Sequence, residues 1–267
     1  MRIALTLLGV ALAAAAGLIV WQRTRLRKLR AHIDATTLEL ERLQRSCALL
    51  APTGVVERLF SDGPDSIAEH KVFTAMFTDL VGYTALSERL DPAALAGVLN
   101  GYFELVSNSV VEHRGRVATF LGDGILIFFG VLEPNPWQCN DAVEAALAIR
   151  AALARYNAEL ERNGFQRIAV GVGIHRGPGL AGLIGSRERR EYTVVGPTLN
   201  LAARVQSLTR EHGQDILLTE AVRAELDPQF KLSAMPAAAV KGITEPVVTY
   251  AVLEGRQGAL KDVATKS

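Results

Sequence analysis

Two apolar runs, residues 117–121 (VATFL) and 125–129 (ILIFF), flank the short turn Gly122-Asp123-Gly124. β-capable runs on either side of a Gly/Asp turn predict a hairpin. A helical pattern lies on each side of that hairpin. Before it, Asp91-Pro92 offers an N-cap followed by a proline at the first helical position, so a helix is expected to about His113, stopping near Gly115. After it, residues 141–163 form an Ala-rich amphipathic pattern closed by Gly164. The outer members are apolar strands at 71–78 (KVFTAMFT) and 168–174. The order strand, helix, hairpin, helix, strand confines the body to the α+β class, as a ferredoxin-like βαββαβ sandwich. A shorter strand at 192–195, a helix over 198–212 ending at Gly213 and a strand at 216–218 follow. A helix from Glu220 and strands near 230–232 and 247–253 complete the body.

The N-terminal part follows other rules. Residues 3–21 carry no charge over 19 positions. As a helix they would be roughly 28 Å long, close to the bilayer core. Trp21 stands at the end of the run, and RTRLRKLR follows it. The cations on that flank predict a single-pass anchor in the cell (inner) membrane, held by lipid, with the rest of the chain in the cytoplasm. A cleaved signal peptide and a buried core helix are the competing readings. From residue 26, Leu26, Leu29, Ile33, Thr36, Leu40, Leu43, Cys47 and Leu50 alternate in steps of three and four. That is a coiled-coil seam, a parallel pair of helices being favoured over one helix lying on its own domain. Pro52 and Gly54 end it, and SDGPDS reads as a linker. The expected layout is therefore an anchor at 1–22, a basic flank and coiled coil at 23–50, and a linker at 51–70. A globular body at 71–254 and a loose polar tail at 255–267 complete it.

Composition sets exclusions. With 49% hydrophobic and 21% charged residues, the chain of 267 residues is no disordered polymer. Two cysteines exclude a disulfide framework and a Cys-rich zinc site, and the five histidines show no metal spacing. The net charge is +1, yet residues 1–30 hold six cations and no acid, so the remainder carries −5. A mildly acidic body argues against a nucleic-acid partner.

Two carboxylates stand out. Asp79 ends the first strand in FTDLVGYT, and Asp123 sits at the hairpin tip in FLGDGIL. If the hairpin pairs with the first strand, the two converge, a donor set suited to Mg²⁺ beside substrate phosphates. Gly82 and Thr84 open a helix directly afterwards, where free N–H groups can receive a phosphate. Taken alone, Asp79 reads more readily as an N-cap and Asp123 as a plain turn residue. TLNLAAR places Asn200 and Arg204 on one helix face, and Lys241 lies in a loop before the last strand. An amide, a guanidinium and an ammonium are donors suited to ribose and phosphate oxygens.

The ordered set FTDLVGYT, FLGDG, YTVVGPTLNLAAR and VKGITEP, together with the helical piece VVERLF at 55–60, resembles the class III nucleotidyl cyclases over residues 55–254. The resemblance implies a homodimer with two active sites at its interface. Asp79, Asp123 and the carbonyl of Leu80 would bind two Mg²⁺ or Mn²⁺ per site. Asn200 and Arg204 of the other chain would orient the ribose and stabilise the transition state. Its Lys241 would hold the terminal phosphates, with Arg189, or Arg187 or Arg190 beside it, as a further phosphate ligand. The implied reaction is attack of the ribose 3′-hydroxyl on the α-phosphorus of ATP, giving 3′,5′-cyclic AMP and pyrophosphate.

The base-reading positions depart from the family pattern. Thr119 stands where adenylate cyclases usually carry Lys and guanylate cyclases tend to carry Glu. Thr193, at the second such position, is similar to many bacterial adenylate cyclases. GTP is therefore the alternative substrate. Pro197 replaces a common Asp at a helix start, where proline is benign. A diguanylate cyclase shares the βαββαβ core, but its Gly-Gly-Asp/Glu-Glu-Phe turn is absent. A catalytically degenerate nucleotide-sensing module and a scaffold acting through its coiled coil are the non-enzymatic rivals. Joint retention of Asp79, Asp123, Asn200, Arg204 and Lys241 argues against the first of these.

Overall fold

In the computed structural model, which describes residues 68–186, 190–240, 243 and 245–254 with isolated helical positions at 22, 25, 30, 33 and 37, eight strands form one sheet. The chain divides into two compact units, Met1–Val56 and Glu57–Ser267. In the first unit, the Thr37 hydroxyl donates to the Ile33 carbonyl one turn back at 2.9 Å, and the Ile33 side chain is exposed. Among the described residues, no helix is long and apolar enough to cross a membrane. The charge-free segment 3–21 and most of the heptad seam lie outside the described residues.

The second unit is built on β1 (Glu69–Val81), β2 (Arg116–Leu121), β3 (Gly124–Phe129) and β4 (Ala169–Gly185). They lie in the order β2-β3-β1-β4, each antiparallel to its neighbour. Helices α1 (Tyr83–Arg89) and α2 (Pro92–Glu112) connect β1 to β2, and α3 (Gln138–Arg162) connects β3 to β4. This is the βαββαβ core read from the hairpin and its flanking helices. Beyond it come β5 (Arg190–Val195), α4 (Pro197–His212), β6 (Ile216–Thr219), the single turn α5 (Glu220–Arg223), β7 (Lys231–Ala234) and β8 (Thr249–Glu254). One edge of β4 serves two strands: β6 pairs parallel at Val172–Ile174, and β5 pairs antiparallel from Leu180 onward.

The caps follow the sequence. The Asp91 carboxylate accepts from the backbone N–H of Ala93 and Ala94, both at 3.0 Å, with Pro92 opening α2. Gly164 follows α3 and Gly213 caps α4, both with left-handed backbone. Several limits differ from expectation. β1 runs through Asp79 to Val81, because its whole length pairs with β4. β4 continues to Gly185, well past 174, since its glycines remain extended and paired. α3 begins at Gln138, so Cys139 is a buried residue of its first turn and not part of a loop. The helix from Glu220 is only four residues.

Alternation along the strands sorts the two faces. Met76 and Leu80 of β1 and Ile125, Ile127 and Phe129 of β3 pack on one face with Tyr102 and Val106 of α2 and Ala145 and Ile149 of α3. Phe73, Ala75, Leu126 and Phe128 point to the other face, where Ala202 of α4 joins them. Asp79 shares the parity of Phe73 and Ala75, so its side chain emerges on the α4 face.

The glycines of β4 set how close α4 comes. A Cβ at Gly173 would fall 2.5 Å from Gln206 Cα and 2.7 Å from the Ala202 carbonyl. One at Gly177 would fall 2.5 Å from Thr198 Oγ1. These glycines therefore serve the close approach of a helix onto the sheet.

Candidate active site

The first carboxylate stands on the long middle strand. Thr78 of β1 pairs with Ile125 of β3, so the next residue, Asp79, lies beside the turn that carries Asp123. A Cβ on Gly124 would sit 3.4 Å from Asp79 Oδ1, which turns that oxygen toward the hairpin. Gly122 adopts φ 68°, letting a two-residue turn close between Leu121 and Gly124. The strand beneath is pinned: the hydroxyls of Thr78 and Tyr102 are hydrogen-bonded at 2.7 Å inside the core. Burial raises the Tyr102 phenol well above its ordinary range, and the charges of Asp79 and Asp123 add to the shift.

Asp79 is raised to about 6. Burial is the first cause, followed by the charge of Asp123 and a hydrogen bond that the protonated Asp79 carboxyl donates to Asp123; Arg210 opposes the rise. Asp79 and Asp123 therefore converge as expected. The third expected donor, the Leu80 carbonyl, follows directly in the chain, and the Leu80 side chain is buried on the opposite face.

A residue that the motif reading missed completes the cluster. Arg210, in the last turn of α4, donates from Nη2 to Asp79 Oδ2 at 2.8 Å and to the Leu80 carbonyl at 3.1 Å. The available signal was the Gly171-x-Gly173 alternation, which seats α4 against the sheet beside Asp79.

The donor set suits a hard divalent cation. It comprises two carboxylates and a carbonyl, all oxygen, and it already attracts a cationic group. Among the described residues, no cluster of three or more His, Cys, Asp and Glu offers a softer alternative.

Gly82 caps α1 with φ 76° and Thr84 lies in its first turn, so the helix opens directly after Asp79 as expected. Asn200 and Arg204 lie one turn apart on α4, exposed, and among the described residues neither forms an ion pair. They are not brought to the acid pair of their own chain. Along the helix axis Asn200 precedes Arg210 by about 15 Å and Arg204 by about 9 Å. Thr119 is half-buried on β2, next to a register shift after Val117. Thr193 is half-buried on β5, opposite Gly182. β3, β1 and β4 lie between those two strands. Lys241, Arg187 and Arg189 fall outside the described residues, and Arg190 begins β5.

With this geometry the comparisons agree. The model of the adenylate and guanylate cyclase catalytic domain matches residues 66–254, and the chain belongs to that family. The chain is 29% identical over 208 residues to adenylate cyclase 1 of Rhizobium meliloti, covering 77% of this chain and 31% of that one. It is 29% identical over 240 residues to an adenylate cyclase of Anabaena cylindrica, covering 86% of this chain and 47% of that one. It thus spans less than half the length of these curated relatives. Among solved structures, the guanylyl cyclase Cya2 superposes with a TM-score of 0.68 at 29% identity, over 73% of this chain and 98% of that one. The adenylyl cyclase CyaB of P. aeruginosa superposes at 0.67 and 27% identity, over 71% and 97%.

Proposed function

We propose that the chain is an adenylate cyclase that converts ATP to 3′,5′-cyclic AMP and pyrophosphate at the interface of a homodimer. The observation that carries this reading is the convergence of Asp79 and Asp123 on one side of the sheet while Asn200 and Arg204 lie farther along α4. One chain thus offers two halves of a site that do not meet. Relatives named adenylate cyclase support ATP as the substrate.

Asp79, Asp123 and the Leu80 carbonyl would hold Mg²⁺ or Mn²⁺, two ions per site. When bound, such ions neutralise phosphoryl charge and lower the pKa of the ribose 3′-hydroxyl. Gly82 and Thr84, at the start of α1, offer backbone N–H groups to the phosphates. Asn200 of the partner subunit orients the ribose so that its 3′-oxygen lies in line with the α-phosphorus. Arg204 of the partner subunit stabilises charge that develops as pyrophosphate leaves. Lys241 of the partner subunit and Arg189 hold the terminal phosphates. Thr119 and Thr193 read the base. Residues 1–22 anchor the chain in the inner membrane with the catalytic unit in the cytoplasm, and the heptad seam holds two chains together.

A guanylate cyclase is the second reading, favoured by Thr119 in place of Lys and by the likeness to Cya2. The deciding experiment offers ATP and GTP separately to the purified chain with Mn²⁺ or Mg²⁺, beside Asp123→Ala. Cyclic AMP from the wild type alone is expected. Cyclic GMP would reassign the base and leave the chemistry standing. An active Asp123→Ala protein would overturn the role of the acid pair, and no product from a folded dimer would favour a non-catalytic module.

A further inference from the structure

The two oxygens of Asp79 are not equivalent. Oδ1 faces the hairpin turn that bears Asp123, while Oδ2 receives the Arg210 guanidinium. The same Nη2 reaches the Leu80 carbonyl. One nitrogen therefore bridges two of the three groups read above as cation ligands.

We propose that Arg210 is a resident counter-cation of the carbonyl-side metal position, which a divalent ion enters only by displacing it. The inference rests on the reading of Asp79, Leu80 and Asp123 as ligands.

Three features carry it. An ammonium or guanidinium and a divalent cation compete for the same lone pairs, and a carboxylate oxygen with a neighbouring carbonyl serves either. The backbone of Arg210 is held, because Thr209 and Gln206 lie on the bare face of Gly171, the residue opposite Asp79. The Arg210 side chain itself is 51% exposed, so it can leave into solvent while α4 stays in place. Among the described residues Asp123 forms no ion pair, so the two ions should bind in unequal steps. Arg210 is thus a positioning residue: it keeps two ligands of the second step aligned and sets the concentration at which that step occurs. A part-exposed charged pair is worth up to about a factor of five in an equilibrium.

The test uses the full chain, Mn²⁺ as the sole ligand, no nucleotide and pH 8, with free Mn²⁺ followed by electron paramagnetic resonance. Arg210→Met should tighten the weaker binding step by roughly fivefold and leave the tighter step in place. Arg210→Lys should restore the weaker step toward wild type, because an ammonium competes as the guanidinium does. Asp123→Ala should lose binding, which tests the ligand assignment separately. Unchanged or weaker binding by Arg210→Met, with Asp123→Ala defective, would overturn the role of Arg210 and leave the ligands standing. No Mn²⁺ bound by either wild type or Arg210→Met would overturn both. A purely structural Arg210 would lower thermal stability without tightening Mn²⁺. Should Arg210→Met fail to fold, the Arg210 side-chain N–H resonance of the wild type decides. It should move to solvent-like exchange on saturation with Mg²⁺, and a guanidinium that stays hydrogen-bonded sinks the proposal.

Discussion

Asp79 and Gly171 face each other across the β1–β4 ladder. The bare backbone of Gly171 lets the last turns of α4 lie directly on the sheet, and Arg210 arrives at the Asp79 carboxylate from there. Packing on one strand thus sets the electrostatics of the next.

The glycine seats give a stability prediction with opposite signs. A Cβ at Gly173 meets the Gln206 and Ala202 backbone, which cannot move without shifting α4. Gly173→Ala should cost about 1–3 kcal/mol through overpacking. Gly97 is exposed within α2, with nothing within 4 Å of its added Cβ. Gly97→Ala should therefore stabilise by about 0.5–1 kcal/mol. Urea midpoints at constant m-value check both, and a neutral Gly173→Ala would show that α4 does not rest on this strand as described.

The acid pair predicts a pH dependence. With Asp79 raised to about 6 from its usual 3.8, the folded, metal-free protein holds this proton more tightly than the unfolded chain does. Its contribution to stability is present in full below the unfolded value and is lost as pH rises through about 6. Carboxyl-carbon NMR should find Asp79 titrating near that value, lower in Asp123→Asn and higher in Arg210→Met. Since proton and cation share the carboxylate, apparent Mn²⁺ affinity should fall as pH drops below the same point. A titration near 4 in the metal-free wild type would contradict the burial and charge coupling described for this pair.

Asn200 and Arg204 should separate activity from folding. Both are exposed on α4, so alanine at either should move stability by no more than about 0.5 kcal/mol. If they orient ribose and stabilise the transition state, kcat should fall by about 10²-fold or more while the dimer persists. Mixing Asp123→Ala with Arg204→Ala should restore part of the activity, because one of the two sites in the mixed dimer then keeps an intact acid pair and an intact arginine. Absence of rescue in a verified mixed dimer would mean that both groups act within one chain.

Much of this was readable in the residues. The hairpin, the Asp91-Pro92 start of α2 and the Gly213 stop of α4 rest on local chemistry, and each stands where its signal lies. The strand ends are less legible, because Asp79 and the β4 glycines look like breakers locally while ladder pairing carries both strands through them. Arg210 was out of reach for a different reason. It contacts a residue 131 positions away, and the Gly171-x-Gly173 alternation marks where a helix seats but not which of its side chains reaches Asp79.

Base preference gives the last prediction. Thr119 is half-buried on an edge strand, beside the register shift that follows Val117. A threonine hydroxyl reaches only a short distance, whereas lysine extends an ammonium donor toward an acceptor such as an adenine ring nitrogen. Thr119→Lys should therefore raise the ratio of kcat/KM for ATP over GTP, by about 1–3 kcal/mol if the new hydrogen bond forms in the complex. The gain should appear in the ratio and not in Mn²⁺ binding, because Thr119 is remote from the cation ligands in role. Competition assays with both nucleotides measure the ratio directly. An unchanged ratio in a folded, active Thr119→Lys protein would remove position 119 from base recognition and leave Thr193 as the residue to vary.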